Sequence, residues 1–168
     1  QYLTAAGIGK TGIIEFDKVD ESNLQRQVLY GTDDVGKLKS IIVKNRLEHL
    51  NSAGEFEIKN LRLDSSNALS IISDYDIIVD ATDNIETRYI INDACVMMNK
   101  PMVHGSIYKY EGIVSVFNYR GGPTYRCYNP SASSSDYMNP LPSQTGLLGA
   151  LPGIAGTLMT NEVITKST

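Results

Sequence analysis

Residues 14–39 read IEFDKVDESNLQRQVLYGTDDVGKLK, and the rest of the chain is arranged around them. The apolar run Gly12-Ile13-Ile14 leads in and predicts a short buried strand. That strand runs out into two carboxylates, Glu15 and Asp17. A polar segment then sets Asn23, Gln25 and Arg26 close together, and Gly36-Lys37-Leu38-Lys39 opens a helical pattern. In an α/β sheet, ligands bind beyond the carboxyl ends of the strands. A carboxylate there can hold ribose hydroxyls. Arg26 and Lys39 can neutralise phosphates, Arg as a planar fork and Lys as a point charge. The same residues also fit a solvated loop with ordinary surface charges, since a motif is a hypothesis until its context is known.

Working outward, residues 35–50 carry Val35, Leu38, Ile41, Ile42 and Leu47 at helical spacing. Residues 55–63 alternate imperfectly and predict a strand, and 65–72 a short helix with Ser65 or Ser66 as N-cap. Residues 76–80 are a near-continuous apolar run, the pattern of a strand buried on both faces. A helix over 85–99 and strands over 102–106 and 112–119 follow, the last of them a candidate sheet margin. Residues 120–145 predict a long loop with a serine-rich tract and four prolines, and 154–164 the last helix. Strands alternating with helices imply βαβ units with right-handed crossovers. The expected architecture is therefore one α/β domain over 1–168, with a Rossmann-like, mostly parallel sheet flanked by helices. The strands near Thr11 and Asp76 are expected side by side, with Glu15 and Asp83 at one cleft.

Composition excludes several classes. The chain has 168 residues and a net charge of −4, against the basic excess of a nucleic-acid-binding surface. No apolar run approaches the roughly 20 residues that span a bilayer, and no signal peptide opens the sequence. Gln1 to Gly7 reads as the end of a helix closed by glycine, so the chain is expected to begin within an element. Two cysteines, Cys95 and Cys127, suggest a reducing compartment without a disulfide framework, and a cytoplasmic location. Cys95 lies in an apolar helical stretch and reads as a small buried hydrophobe.

Further motifs follow in order: Asp80-Ala81-Thr82-Asp83-Asn84, Arg88 with Asn92-Asp93, Gly105-Ser106, Glu111-Gly112, Tyr125-Arg126-Cys127, and Gly146-Leu147-Leu148-Gly149 leading to Pro152-Gly153. Together with Ser22-Asn23-Leu24-Gln25-Arg26-Gln27 and Val35-Gly36-Lys37-Leu38-Lys39, this ordered set resembles the signature of the ThiF/MoeB/HesA family, bacterial relatives of ubiquitin-activating enzymes. The resemblance implies adenylylation, with ATP and Mg²⁺, of the C-terminal glycine of a ubiquitin-like sulfur-carrier protein with a Gly-Gly tail, in thiamine or molybdopterin synthesis. It also implies a homodimer. Residue by residue, it places Glu15 on the ATP ribose, where the family commonly has Asp. It places Asn23, Arg26 and Lys39 on the phosphates, Gln25 at the same mouth, and Asp83 at Mg²⁺. Asp83 or Asn84 is also a candidate N-cap. Arg88 is expected to pair with Asp93 on the surface.

Parts of the family pattern are not in this sequence. The Gly-rich phosphate loop would precede Gln1, and an arginine from the partner subunit's N-terminal region has no counterpart, so a fragment cut at both ends is expected. Thr124-Tyr125-Arg126-Cys127 stands where many members have Cys-x-x-Cys. A structural zinc site needs about four ligands, so no zinc is expected. No cysteine lies near Pro142-Ser143-Gln144-Thr145 to bond the carrier covalently. Cys127 reads as an inert remnant of the zinc motif, and His104 as structural, with no partner carboxylate evident. Tyr108, Tyr110, Tyr119, Tyr125 and Tyr128 mark either a sheet margin or a partner surface. Against the enzyme stands a second reading, a catalytically inactive member or fragment that binds the carrier or a partner. A relative that activates a carbonyl on transfer RNA uses the same ATP chemistry. A nicotinamide-dependent dehydrogenase shares the strand-end carboxylate but leaves Arg26 and Lys39 without a task.

Overall fold

A computed structural model describes residues 1–130 and 147–167. Most of the predicted long loop, with its serine tract, Pro140 and Pro142, falls at 131–146, outside the described residues. The chain divides into two compact units, Gln1–Leu63 and Asp64–Thr168.

In the first unit, helix α1 (Tyr2–Ala5) ends as expected at a glycine, Gly7, with φ +81°. Strand β1 (Lys10–Ile14) lies parallel to β2 (Glu55–Lys59), from Lys10 opposite Glu55 to Ile14 opposite Lys59. A parallel pair needs a crossover, and helix α2 (Lys39–Leu50) supplies it. The burial that holds α2 down comes from Val43 and Leu47 against Phe56, with Ile13, Leu29 and Tyr30 packed around them. Gly54 allows this packing, because a β-carbon there would lie 2.7 Å from the Phe56 ring. Helix α2 starts at Lys39 rather than at Val35. Gly36 at φ +83° makes a turn that a right-handed helix cannot contain. β2 stops at Lys59, short of the predicted end at residue 63, where its ladder with β1 ends at Ile14 opposite Lys59.

In the second unit, β3 (Ile78–Asp80) runs parallel to β4 (Met102–Tyr108), and β4 runs antiparallel to β5 (Glu111–Phe117). β5 is a margin of this sheet, as its alternating pattern suggested. α3 (Ala68–Ile72) precedes β3, and α4 (Ile85–Met97) makes the β3–β4 crossover. α5 (Tyr125–Tyr128) and α6 (Leu151–Ser167) follow. α6 buries Ala155, Met159 and Val163, spaced four apart on one stripe. It approaches β4 at Gly105, where a β-carbon would lie 2.2 Å from Met159 Sδ. Two predicted details differ. Val79 is 42% exposed, so β3 is not buried on both faces. The α3 N-cap position is Asn67, while the Asp64 carboxylate, not a serine, takes the Ser66 and Asn67 amides at 2.8 and 3.2 Å. No helix among the described residues is long and apolar enough to cross a membrane.

Candidate functional site

The segment after β1 leaves the strand and returns to it as a loop pinched at its base. Lys18 and Leu38 form an antiparallel bridge. The Val19 amide donates to Lys37 O at 2.9 Å, the Gly36 amide to Val19 O at 2.9 Å, and the Lys39 amide to Asp17 O at 2.9 Å. Val19, 2% exposed, is the plug that these bonds close around. The pinch sets Lys39 beside Asp17, with Nζ 3.7 Å from a carboxylate oxygen.

The lysine is only 5% exposed, whereas the Asp17 side chain is 59% exposed. Lysine is almost never buried without a close partner, and 3.7 Å is beyond hydrogen-bond range. Lys39 is also the first residue of α2, whose start has no side-chain cap. The first turn of a helix leaves amide donors without intrahelical partners and carries the positive end of the helix dipole. A buried ammonium, loosely held, thus coincides with an uncapped helix start, and both favour an anion.

The other predicted residues of this unit stand on the same loop or at its root. Glu15, half-buried, follows β1, and its Oε1 accepts the Asp17 amide at 2.9 Å. Arg26 donates one N–H to Ser22 O at 3.0 Å, and Asn23 Nδ2 reaches Ser22 Oγ at 3.4 Å. The Asp20 carboxylate caps the 3₁₀ turn Glu21–Asn23 by accepting from the Ser22 amide. Its pKa lies below the usual carboxylate range, chiefly because the Ser22 hydroxyl donates to it. Further along, buried Asp34 accepts the Gly31 amide at 2.9 Å and Arg46 at 2.5 Å, which stiffens the return limb. Tyr30, beside that knot, is pushed up to about 12 by burial, with the Glu15 charge adding to it. Gln25 is exposed.

Asp83 belongs to the second unit, just past the end of β3. Asn84, not Asp83, caps α4, accepting the Thr87 amide at 2.8 Å. The Asp83 carboxylate is exposed and has no hydrogen-bond or ion-pair partner among the described residues. Arg88 does not pair with Asp93. It donates to Thr82 O from Nε at 3.3 Å and from NH2 at 2.7 Å. Asp93 instead takes a two-pronged contact from Arg126, at 2.7 and 2.6 Å, with the guanidinium 4.6 Å from the Tyr89 ring centre.

His104 does have a carboxylate partner. Its Nδ1 lies 2.7 Å from Asp80 Oδ2, and both side chains are buried. Sequence reasoning missed this pair, although the register of β3 on β4 sets Asp80 opposite His104. It also missed Asp17 as the neighbour of Lys39. Cys127 is exposed, and its thiol is lowered by the Thr124 hydroxyl, 3.4 Å away. Cys95 is buried as expected, and burial pushes its thiol up to about 12.

Parallel strands crossed over by helices, with charged residues gathered past the strand ends, define a Rossmann-like α/β protein. The chain belongs to the ThiF family, whose model matches residues 1–168. It is 47% identical over 163 residues to a Porphyra purpurea protein described as a probable molybdopterin-synthase adenylyltransferase, covering 97% of this chain and 43% of that one. It is 44% identical over 169 residues to the sulfur carrier protein adenylyltransferase of Thermus thermophilus, covering 98% of this chain and 62% of that one. The chain thus spans about half the length of these relatives. Among solved structures it resembles a crystal structure of E. coli MccB with ATP, with a TM-score of 0.81 and 25% identity over 97% of this chain and 49% of that one.

Proposed function

We propose that this chain carries the ATP-binding part of an adenylyltransferase that acts on the C-terminal glycine of a ubiquitin-like sulfur-carrier protein, of the molybdopterin or thiamine type. The observation that carries this reading is the buried, loosely held Lys39 ammonium at the uncapped start of α2. A surface loop would leave that ammonium in water. The names of the two sequence relatives, and ATP in the related crystal structure, support the same reading.

In this reaction the carrier's terminal carboxylate attacks the α-phosphate of ATP. A carboxyl-oxygen-to-phosphorus bond forms, the bond to the β-phosphate oxygen breaks, and pyrophosphate leaves. Two anions must approach each other while charge builds on the leaving group, so positioning and fixed positive charge supply most of the catalysis. No protein nucleophile is needed. Lys39 and Arg26 offset the phosphate charge, Asn23 donates to a phosphate oxygen, and Glu15 accepts from the ribose hydroxyls. Asp83 suits Mg²⁺, because its carboxylate is exposed and uncommitted. Among the described residues no group of three or more acidic, histidine or cysteine side chains converges, so the cation would be shared with substrate phosphates, as magnesium commonly is. Mg²⁺, when bound, neutralises phosphate charge.

We also propose a two-fold homodimer, the commonest symmetric assembly. Leu148, Ile154 and Leu158 leave an apolar strip exposed along and just before α6, which a second copy would cover. The cytoplasm is the compartment this reading implies. The test of the activity is exchange of labelled pyrophosphate into ATP by the full-length protein given a Gly-Gly-tailed carrier. Arg26→Ala and Asp83→Ala should each lower exchange by about 100-fold or more. Undiminished exchange in both would remove those residues from the mechanism.

A further inference from the structure

We propose that His104 is a positioning residue that holds the turn carrying Asp83, acting through Asp80. The inference rests on the adenylylation reading only for what Asp83 does; the coupling itself is geometric.

Asp80 ends β3 with its side chain 0% exposed, and His104 lies opposite it in β4, 1% exposed. The His104 Nδ1–H donates to Asp80 Oδ2 at 2.7 Å. The other carboxylate oxygen, Oδ1, accepts the Thr82 amide at 3.0 Å and the Thr82 hydroxyl at 2.7 Å. One buried carboxylate therefore joins a strand histidine to the turn that leaves β3. On the far side, Thr82 O receives Arg88 at 2.7 Å, and Asn84 caps α4 at 2.8 Å. The backbone is pinned immediately before and after Asp83, while the Asp83 side chain stays uncommitted.

A buried carboxylate persists only if its lone pairs are filled. Without His104 as donor, Asp80 would turn Oδ2 toward another partner or draw in water. Either change disturbs the two bonds that shape the turn. The imidazole is itself fixed, with ring centres 5.1 Å from Tyr125 and 6.0 Å from Phe117. The donor thus stands on a rigid platform, the arrangement that holds a functional side chain to within a fraction of an ångström.

Two complementary substitutions separate the hydrogen bond from the ring. His104→Asn keeps an N–H donor near the Nδ1 position and loses the ring, and His104→Phe keeps the ring and loses the donor. The first measurement uses ligand-free full-length protein: amide hydrogen exchange at Thr82, with Val103 in β4 as the internal reference. His104→Phe should speed exchange at Thr82, whose amide donates to Asp80 Oδ1, by about tenfold or more, the loss of one hydrogen bond to a charged group, and leave Val103 unchanged. His104→Asn should keep the protection. The second measurement is the Mg²⁺ concentration that gives half-maximal pyrophosphate exchange. It should rise about tenfold in His104→Phe, with the rate recovered at high Mg²⁺, and should be rescued in His104→Asn. A histidine that served only stability would lower the folded fraction without moving that midpoint.

An unchanged Thr82 amide in His104→Phe, equal acceleration at Val103, or a His104→Asn variant as impaired as His104→Phe would each overturn the proposal. If His104→Phe does not fold, Thr82→Val, which removes the hydroxyl donor from the turn side and keeps the amide, should give the same local acceleration at the amide of residue 82, and no acceleration there overturns the proposal. Absence of exchange activity in the wild-type protein would overturn the adenylylation reading, while the amide measurement still decides the coupling.

Discussion

Lys39→Met is the substitution that most directly tests how this loop works. Methionine keeps an unbranched apolar stem in the buried path and removes the ammonium. The only ion-pair partner of Lys39 among the described residues is Asp17, 3.7 Å away and mostly in water. An ion pair with one solvated partner is worth about 0–1 kcal/mol. Removing it leaves no buried orphan, because water takes over Asp17, and the desolvation cost of the ammonium disappears with it. The folding free energy should therefore stay within about 1 kcal/mol of wild type, which is a shift of no more than about 4 °C in Tm for a domain of this size. Activity should respond very differently. Loss of one preorganised positive group facing the transferring phosphate costs about 2.7–4 kcal/mol, or 100- to 1,000-fold in exchange rate. Thermal melting followed by circular dichroism and the pyrophosphate exchange assay, run on the same preparation, make the comparison. Exchange within about threefold of wild type would refute the phosphate role, since so small a loss lies far below the value for such a group. A drop in Tm of much more than about 4 °C would show that the lysine is a structural strut.

Other consequences can be checked separately. Gly105→Ala places a methyl group in the path of Met159 and should destabilise by about 1–3 kcal/mol in denaturant titration; the cost should shrink in a Met159→Ala background, a non-additive pair. Exposed Cys127 should react with iodoacetamide at a lower pH than an ordinary thiol, and Thr124→Val should move its midpoint upward, whereas Cys95 should label only on unfolding. The Asp93 carboxyl is held below its ordinary pKa first by its hydrogen bond from Arg126, so its contribution is present above the unfolded carboxylate pKa and is lost as pH falls through the lowered folded value. Both side chains are nearly half exposed, so Arg126→Ala should cost no more than about 1 kcal/mol at neutral pH. Sedimentation of Leu148→Asp against wild type tests the dimer, with wild type that stays monomeric at high concentration as the refuting result.

Several features were legible because they depend on neighbours in sequence. The glycine stop of α1, the crossover helix α2, the burial of Cys95 and the marginal character of β5 all follow from periodicity and composition within one element. The errors have physical causes as local as the successes. Val35 has helical spacing with Leu38 and Ile42, but Gly36 needs a positive φ, and the turn it makes delays the helix to Lys39. Arg88 and Asp93 are five apart on α4, so they point to different faces, and each finds a partner off the helix: Thr82 O for one and Arg126 for the other. Asp64 rather than Ser65 or Ser66 feeds the α3 start, because an Asx turn can reach two amides from outside the cap position.

From the sequence alone came the kind of protein: an α/β chain with an acidic strand end, a loop bearing Asn23, Arg26 and Lys39, and a second acidic turn at Asp83. Residue type and order suffice for that, because strand, turn and helix preferences act over a few residues, and because the ordered motifs match one family from end to end. Tertiary structure alone decided which of those charges are buried and what they face. Lys39 and Asp17 meet only because a bridge between Lys18 and Leu38 closes the loop. Asp80 and His104 meet only because β3 and β4 are neighbours in parallel register, a pairing that joins residues 24 apart. Burial and partnership are sums over contacts from distant parts of the chain. They turn an ordinary surface lysine into a loosely held buried cation, and an apparently unpartnered histidine into a donor to a buried carboxylate.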